Sequence, residues 1–174
     1  MTFCIPVKGV FVTNCYFAID RKTNHGFLID PGAEGEKLVQ LILEHDWIIE
    51  KILLTHGHFD HFGGVDAVRD ALDIPILIHE EGKAYLERPE LNLSRFCGGD
   101  LTVEGAKYFR DGDLLTLREG GLRLKAIHTP GHQRHLLLDI IISNAIKKQG
   151  TTCISCTMPA LAAFAKLSSA FCQR

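Results

Sequence analysis

The stretch Ile52-Leu53-Leu54-Thr55-His56-Gly57-His58-Phe59-Asp60-His61 decides how the chain is read. Its first three residues form a short continuous apolar run, which suits a strand buried on both faces. The run leads directly into four potential metal ligands within six residues: His56, His58, Asp60 and His61. Neutral imidazole nitrogens and a carboxylate are the donor set expected for zinc and, with less selectivity, for iron or manganese. Gly57 lets the backbone turn so that neighbouring side chains can converge. In a loop after the strand, His56 and His58 can face one centre while Asp60 and His61 face another. Such packing favours two adjacent metals over one. The plain alternative is a polar surface loop in which histidines cluster by chance, and four ligands at this spacing directly after a buried strand speak against it.

Upstream, residues 10–19 are β-branched and aromatic and read as a strand. Asp20 to Asn24 is a polar turn, and His25 to Ile29 the partner strand of a hairpin. Asp30-Pro31-Gly32 ends it, because Pro gives up a ladder donor and Gly frees the turn. A helix follows, with Leu38, Leu41, Ile42 and His45 on one face and Glu34 and Glu36 in the first turn, where the dipole favours anions. Downstream, Gly63-Gly64 precedes a helix carrying Val65, Val68 and Leu72. Ile74 to Ile78 reads as a second buried strand and residues 80–87 as helix. Residues 88–112 are irregular, punctuated by Gly98-Gly99 and Gly112. Leu114 to Leu117 and Leu122 to Ile127 make a second hairpin, turning at Glu119-Gly120-Gly121. This alternation predicts an α/β fold with a mixed sheet.

The second chemical signal is His128-Thr129-Pro130-Gly131-His132. The proline and glycine between the histidines exclude a regular helix, so the segment is a turn with His132 on a rigid Pro-Gly elbow. Read alone, it is equally a capped strand end with a solvent-facing histidine. Beside the first motif, His132 is favoured as a ligand and His128 as structural.

The chain at this point resembles the metallo-β-lactamase superfamily, in particular its small glyoxalase II-like hydrolases. The matching residues are Thr-Asn-Cys-Tyr at 13–16, Asp-Pro-Gly at 30–32, Thr-His-Gly-His-Phe-Asp-His at 55–61, Gly-Gly at 63–64, Asp-Gly-Asp at 111–113 and His-Thr-Pro-Gly-His at 128–132. The resemblance implies an αββα sandwich with metals at the sheet edge. It implies His56, His58 and His132 at one metal, Asp60 and His61 at a second, and Asp30 behind the site, orienting the ligands. Asp60 is carried over as the catalytic carboxylate as well as a ligand. One or two zinc ions are implied, iron or manganese being compatible. A bound metal lowers the pKa of water from about 15.7 to about 7, so a metal-bound hydroxide would attack the carbonyl of a thioester or small ester.

The pattern breaks after His132. The family calls for a later bridging aspartate in a Gly-Asp context and a final histidine. Residues 150–158, Gly-Thr-Thr-Cys-Ile-Ser-Cys-Thr-Met, hold no carboxylate, no histidine follows His135, and Asp139 is the only acidic residue after His132. Residues 1–132 therefore read as the first half of the fold and residues 133–174 as an atypical tail, so the fold is expected to be truncated or altered in its second half. Gln133-Arg134-His135 can be encoded so that a shifted frame reads Thr-Pro, the family's usual continuation, which points to an altered reading frame. Within the tail, Leu136 to Ile142 suits a strand and residues 159–167 a short helix. Cys153-x-x-Cys156 is a weak signal for a metal or redox pair. Without its second half the sheet is expected to be partly uncovered, to be patched by the apolar tail or to drive association.

Composition sets the outer bounds. The chain has 174 residues, 46% hydrophobic and 23% charged, enough for one domain with a core. A net charge of −2 and the lack of a long basic run give no nucleic-acid footprint. The opening residues read as neither a signal peptide nor a membrane span, and six scattered cysteines suit reduced thiols in the cytosol. The expected partner is a small-molecule thioester or ester. Two other readings stand beside the hydrolase: a catalytically impaired metal-binding chain, and an iron-dependent persulfide dioxygenase-like member, a class whose iron is held by two histidines and an aspartate.

Overall fold

Strict alternation along the central strands builds two cores, one on each face of a single sheet. The computed structural model describes residues 1–129, 137–144 and 152–154. Strands β1 (Thr2–Lys8), β2 (Val12–Ile19), β3 (His25–Ile29), β4 (Ile48–Leu54), β5 (Ile76–His79) and β6 (Lys107–Phe109) form a six-stranded sheet in sequence order. The first two pairings are antiparallel and the remaining three parallel. Successive side chains in a strand point to opposite faces. Cys15, Phe17, Leu28, Ile52, Leu54, Ile76 and Ile78 thus enter one core, and Ala18, Phe27, Ile29 and Leu53 the other. That double burial is why these strands read as continuous apolar runs rather than as polar–apolar alternation.

The first core lies under helices α1 (Gly35–Glu44) and α3 (Val65–Leu72), through Leu38, Ile42, Val65 and Val68. The second lies between the sheets. Strands β7 (Leu114–Thr116), β8 (Leu122–Thr129), β9 (Leu137–Asn144) and β10 (Thr152–Ile154) form an antiparallel sheet in the order β10-β9-β8-β7. Its Leu115, Leu117, Leu122, Leu124 and Ala126 pack against the first sheet. The described residues thus supply a helix layer and two sheets of the sandwich. The second sheet includes strands on both sides of residue 132, so the apolar stretch read as a strand at Leu136 to Ile142 is paired to β8 as β9. The helix expected over 159–167 lies outside the described residues, as does Cys156.

Some local expectations need correction. Glu34 is the N-cap residue of α1, with φ of 54°, rather than a member of its first turn; its carboxylate accepts from the Lys8 amide and from Lys37. His45, expected on one face with Leu38, Leu41 and Ile42, is the C-cap residue of α1; it is exposed and stacks on Trp47 with ring centroids 4.7 Å apart. The stretch 88–112 contains β6 and a 3₁₀ turn at Ser94–Cys97. Three strand residues are too few to display a period, and β6 exists because its backbone finds the parallel edge of β5.

Carboxylates fasten the two sheets together at the end remote from β4's C-terminus. Glu50, nearly buried on β4, accepts from the Arg118 amide at 2.7 Å and the Glu119 amide at 3.4 Å, and contacts His25 Nδ1 at 2.6 Å. Asp20 accepts from the Gly121 amide at 2.8 Å. Burial opposes the charge on Glu50, but the Arg118 amide, His25 and the Glu119 amide outweigh it and hold its pKa below the ordinary glutamate value. A group held low in the folded state stabilises the fold above its unfolded pKa, and that contribution fades as pH falls through the folded value. Glu50→Gln is therefore expected to cost about 1–3 kcal/mol at neutral pH. The gap to wild type should close on acidification below the glutamate range, as read by denaturant titrations across pH; a gap independent of pH would show that charge plays no part in the fastening.

Candidate metal centre

The four motif residues leave β4 at the edge where the parallel strands end. Thr55, His56 and Gly57 follow the strand, His58 is extended as an N-cap, and α2 (Phe59–Phe62) is a single helical turn. Asp60 and His61 therefore sit on a helix, not in the loop that spacing suggested. Phe59 and Phe62 sink into the helix-side core. This anchors the turn, and His61 is fully buried with Asp60 nearly so.

A second loop fixes this turn from behind. Asp30 follows β3 with φ of 52° and is fully buried. The Gly64 amide donates to the Pro31 carbonyl at 2.9 Å, and a Cβ placed on Gly32 would stand 1.8 Å from the Asp60 carbonyl oxygen. Only a residue without a side chain permits so close an approach of two backbones. The Asp30 carboxylate accepts from the Thr55 amide at 2.8 Å, from Thr55 Oγ1 at 2.6 Å and from His61 Nδ1 at 3.0 Å.

These bonds dictate where protons lie on two imidazoles. A carboxylate accepts only, so His61 Nδ1 carries the hydrogen and, in the neutral ring, Nε2 the lone pair. The single proton of the Thr55 hydroxyl goes to Asp30. The 3.1 Å contact between Thr55 Oγ1 and His56 Nδ1 is then a donation from the ring, which again leaves the lone pair on Nε2. One buried carboxylate thus sets both tautomers, one directly and one through a hydroxyl.

His61 Nε2 is buried and has no hydrogen-bond partner among the described residues. The carboxylate oxygen it faces, Asp60 Oδ2, is 3.8 Å away and accepts from Thr13 Oγ1 at 3.2 Å. With the ring neutral, two lone-pair atoms would face each other across that gap, which is costly unless a proton or a metal ion joins them. Burial pushes the His61 pKa down, but the charge and hydrogen bond of Asp30 and the charge of Asp60 outweigh it, for a net rise. Donors at zinc-like distances in a tetrahedral shell stand about 3.4 Å apart. The orphaned nitrogen, its facing carboxylate and the tautomer fit a divalent cation. His56 lies between its neighbours, its ring centroid 4.0 Å from that of His61 and 4.7 Å from that of His58.

The fold therefore brings His56, His58, Asp60, His61 and Asp30 to one place. Among the described residues no three donors close on a single coordination-sized centre. His132 lies outside the described residues. His128 is held at the strand end: its amide donates to Asp111 at 2.8 Å, and its ring packs on His79 with centroids 4.8 Å apart. Thr13, Thr55, Tyr85 and His79 received no role from the sequence. The two threonines stand inside matching motifs, and for Thr55 a hydroxyl next to a histidine at a strand end was the available signal. Tyr85 and His79 had none, because they reach the site through β5 and α4 (Lys83–Glu87).

A profile of the metallo-β-lactamase superfamily matches residues 9–138. The probable metallo-hydrolase YqgX of Bacillus subtilis is 36% identical over 84% of this chain and 71% of its own length. The hydroxyacylglutathione hydrolase GloC of Haemophilus influenzae is 33% identical over 74% of this chain and 60% of its own. Several similar curated proteins are spanned over about 60% of their length. The crystal structure of the B3 metallo-β-lactamase BLEG-1 superposes with a TM-score of 0.72 at 33% identity, covering 82% of this chain and 67% of that one. Profile, relatives and superposition agree with the site's geometry: the chain belongs to the metallo-β-lactamase superfamily.

Proposed function

We propose that the protein is a metal-dependent hydrolase of the glyoxalase II-like kind, cleaving a small-molecule thioester or ester. The observation that carries this reading is the buried His61 Nε2, aimed at Asp60 with no hydrogen-bond partner among the described residues. In the proposed arrangement His56, His58 and His132 hold one ion, and Asp60 with His61 a second. A divalent cation there, zinc first and iron or manganese next by donor type, would supply Lewis acidity and make water a usable nucleophile near neutral pH. Asp30 keeps the His56 and His61 lone pairs turned outward. Thr13 orients the Asp60 carboxylate through its hydroxyl. The thioester is favoured by the motif resemblance and by the name of the H. influenzae relative.

The proposal includes a cytosolic setting without nucleic-acid or membrane partners. It draws on the net charge of −2 and on Cys4, Cys15 and Cys97, which are free thiols among the described residues. No helix among the described residues is long and apolar enough to cross a membrane. A second reading, metal binding without turnover, is favoured by the sequence, which has no carboxylate at 150–158 and no histidine after His135.

Metal analysis of the purified chain, combined with hydrolysis of a hydroxyacylglutathione thioester, separates the readings. Two zinc ions with turnover support the hydrolase. One weakly held ion without turnover supports the second reading, and bound iron with oxygen uptake on a persulfide would replace both with the oxidative one. His58→Ala is expected to lower metal content; unchanged content would refute the site assignment. Asp30→Asn should weaken zinc binding by about 10–100-fold in a chelator competition, because an amide cannot accept from three donors and leave both tautomers in place. Wild-type affinity in that variant would remove the proposed role of Asp30.

A further inference from the structure

Behind the metal loop stands a fully buried asparagine with every polar atom engaged. The Asn92 side-chain amide donates to the Tyr85 carbonyl at 3.0 Å and to the Leu101 carbonyl at 2.8 Å, and its Oδ1 accepts from the Ser94 amide at 2.9 Å. Its backbone amide donates to the Arg88 carbonyl at 3.1 Å, and its carbonyl accepts from the Phe59 amide at 3.0 Å. Two of these partners touch the metal motif on opposite sides. Phe59 opens α2, the turn that carries Asp60 and His61. Tyr85 backs the other half: its Cβ lies where a side chain on Gly57 would come within 2.4 Å, and its ring meets that of His58 edge-on with centroids 6.2 Å apart.

We propose that Asn92 is a positioning residue for the metal centre: it ties the support of His58 to the start of the Asp60–His61 turn and so fixes the spacing between the two ligand pairs. The inference rests on the reading of these residues as metal ligands. An asparagine suits the post because it donates to two carbonyls while accepting from an amide, which neither aspartate nor leucine can do. Ser94 completes the loop from within, its Oγ accepting from the Leu101 amide at 3.0 Å. Removal of the Asn92 side chain leaves two part-buried carbonyls without their donor and frees Tyr85 to shift relative to α2.

The test uses the full chain with Zn²⁺ or Co²⁺ as the probe. Asn92→Ala should weaken Zn²⁺ binding about tenfold and change the d–d absorption of the Co²⁺ form, which reports ligand geometry. Ser94→Ala loosens the same loop and should leave both readouts near wild type. Coupling is reciprocal, so Zn²⁺ added to wild type should slow hydrogen exchange at the Ser94 and Leu101 amides. This measurement stands even where Asn92→Ala does not fold. Unchanged affinity and spectrum in Asn92→Ala, losses in both variants that simply track their Tm, or exchange indifferent to Zn²⁺ would each overturn the inference. If wild type binds no Zn²⁺, the metal reading falls with it; if wild type binds and the variant matches it, only the role of Asn92 falls.

Discussion

The site depends on one buried carboxylate and the three donors that hold it in place. Asp30 is removed from water at the end of β3, where its charge would be very unfavourable alone. Thr55 meets it twice and His61 once. The same bonds that stabilise the charge join β3 to the residues after β4 and orient two imidazoles. Structure and chemistry are thus not separable here. A substitution that relieved the burial of charge would also release the rings.

The parallel order of β3, β4, β5 and β6 makes this concentration possible. Strands that run the same way deliver their C-terminal ends to one edge, and Asp30, Thr55 and His79 all emerge there. The antiparallel sheet contributes from across the core, through His128 packed on His79. The opposite end carries no comparable chemistry among the described residues. There Glu50 and Asp20 hold the turn at 118–121 and set how the sheets meet.

Much of this was legible in the sequence because it rests on local pattern. The apolar run 52–54 and the ligand spacing after it specify a buried strand with chemistry at its end. Leu38 with Ile42 and Val65 with Val68 give the helix faces directly. What escaped is long-range or very short. β6 has three residues and is defined by its neighbour. Asn92 is remote in sequence from Phe59 and Tyr85's role depends on packing against Gly57, so no spacing rule reaches either. Asp60 and His61 were placed in a loop because Phe59 and Phe62, which root the helical turn, are simply two aromatics until the core around them is known.

The close pass of Gly32 over the Asp60 carbonyl has a consequence for how this scaffold can be changed. The loop after β3 and the loop after β4 share one surface with no space between them, so neither is a self-contained insert. A graft of the histidine-rich loop alone onto another sandwich would meet a foreign backbone where Gly32 now lies. The smallest transferable unit on this side of the site is the pair of loops with both strand ends, although the histidine-rich motif itself is continuous in the chain.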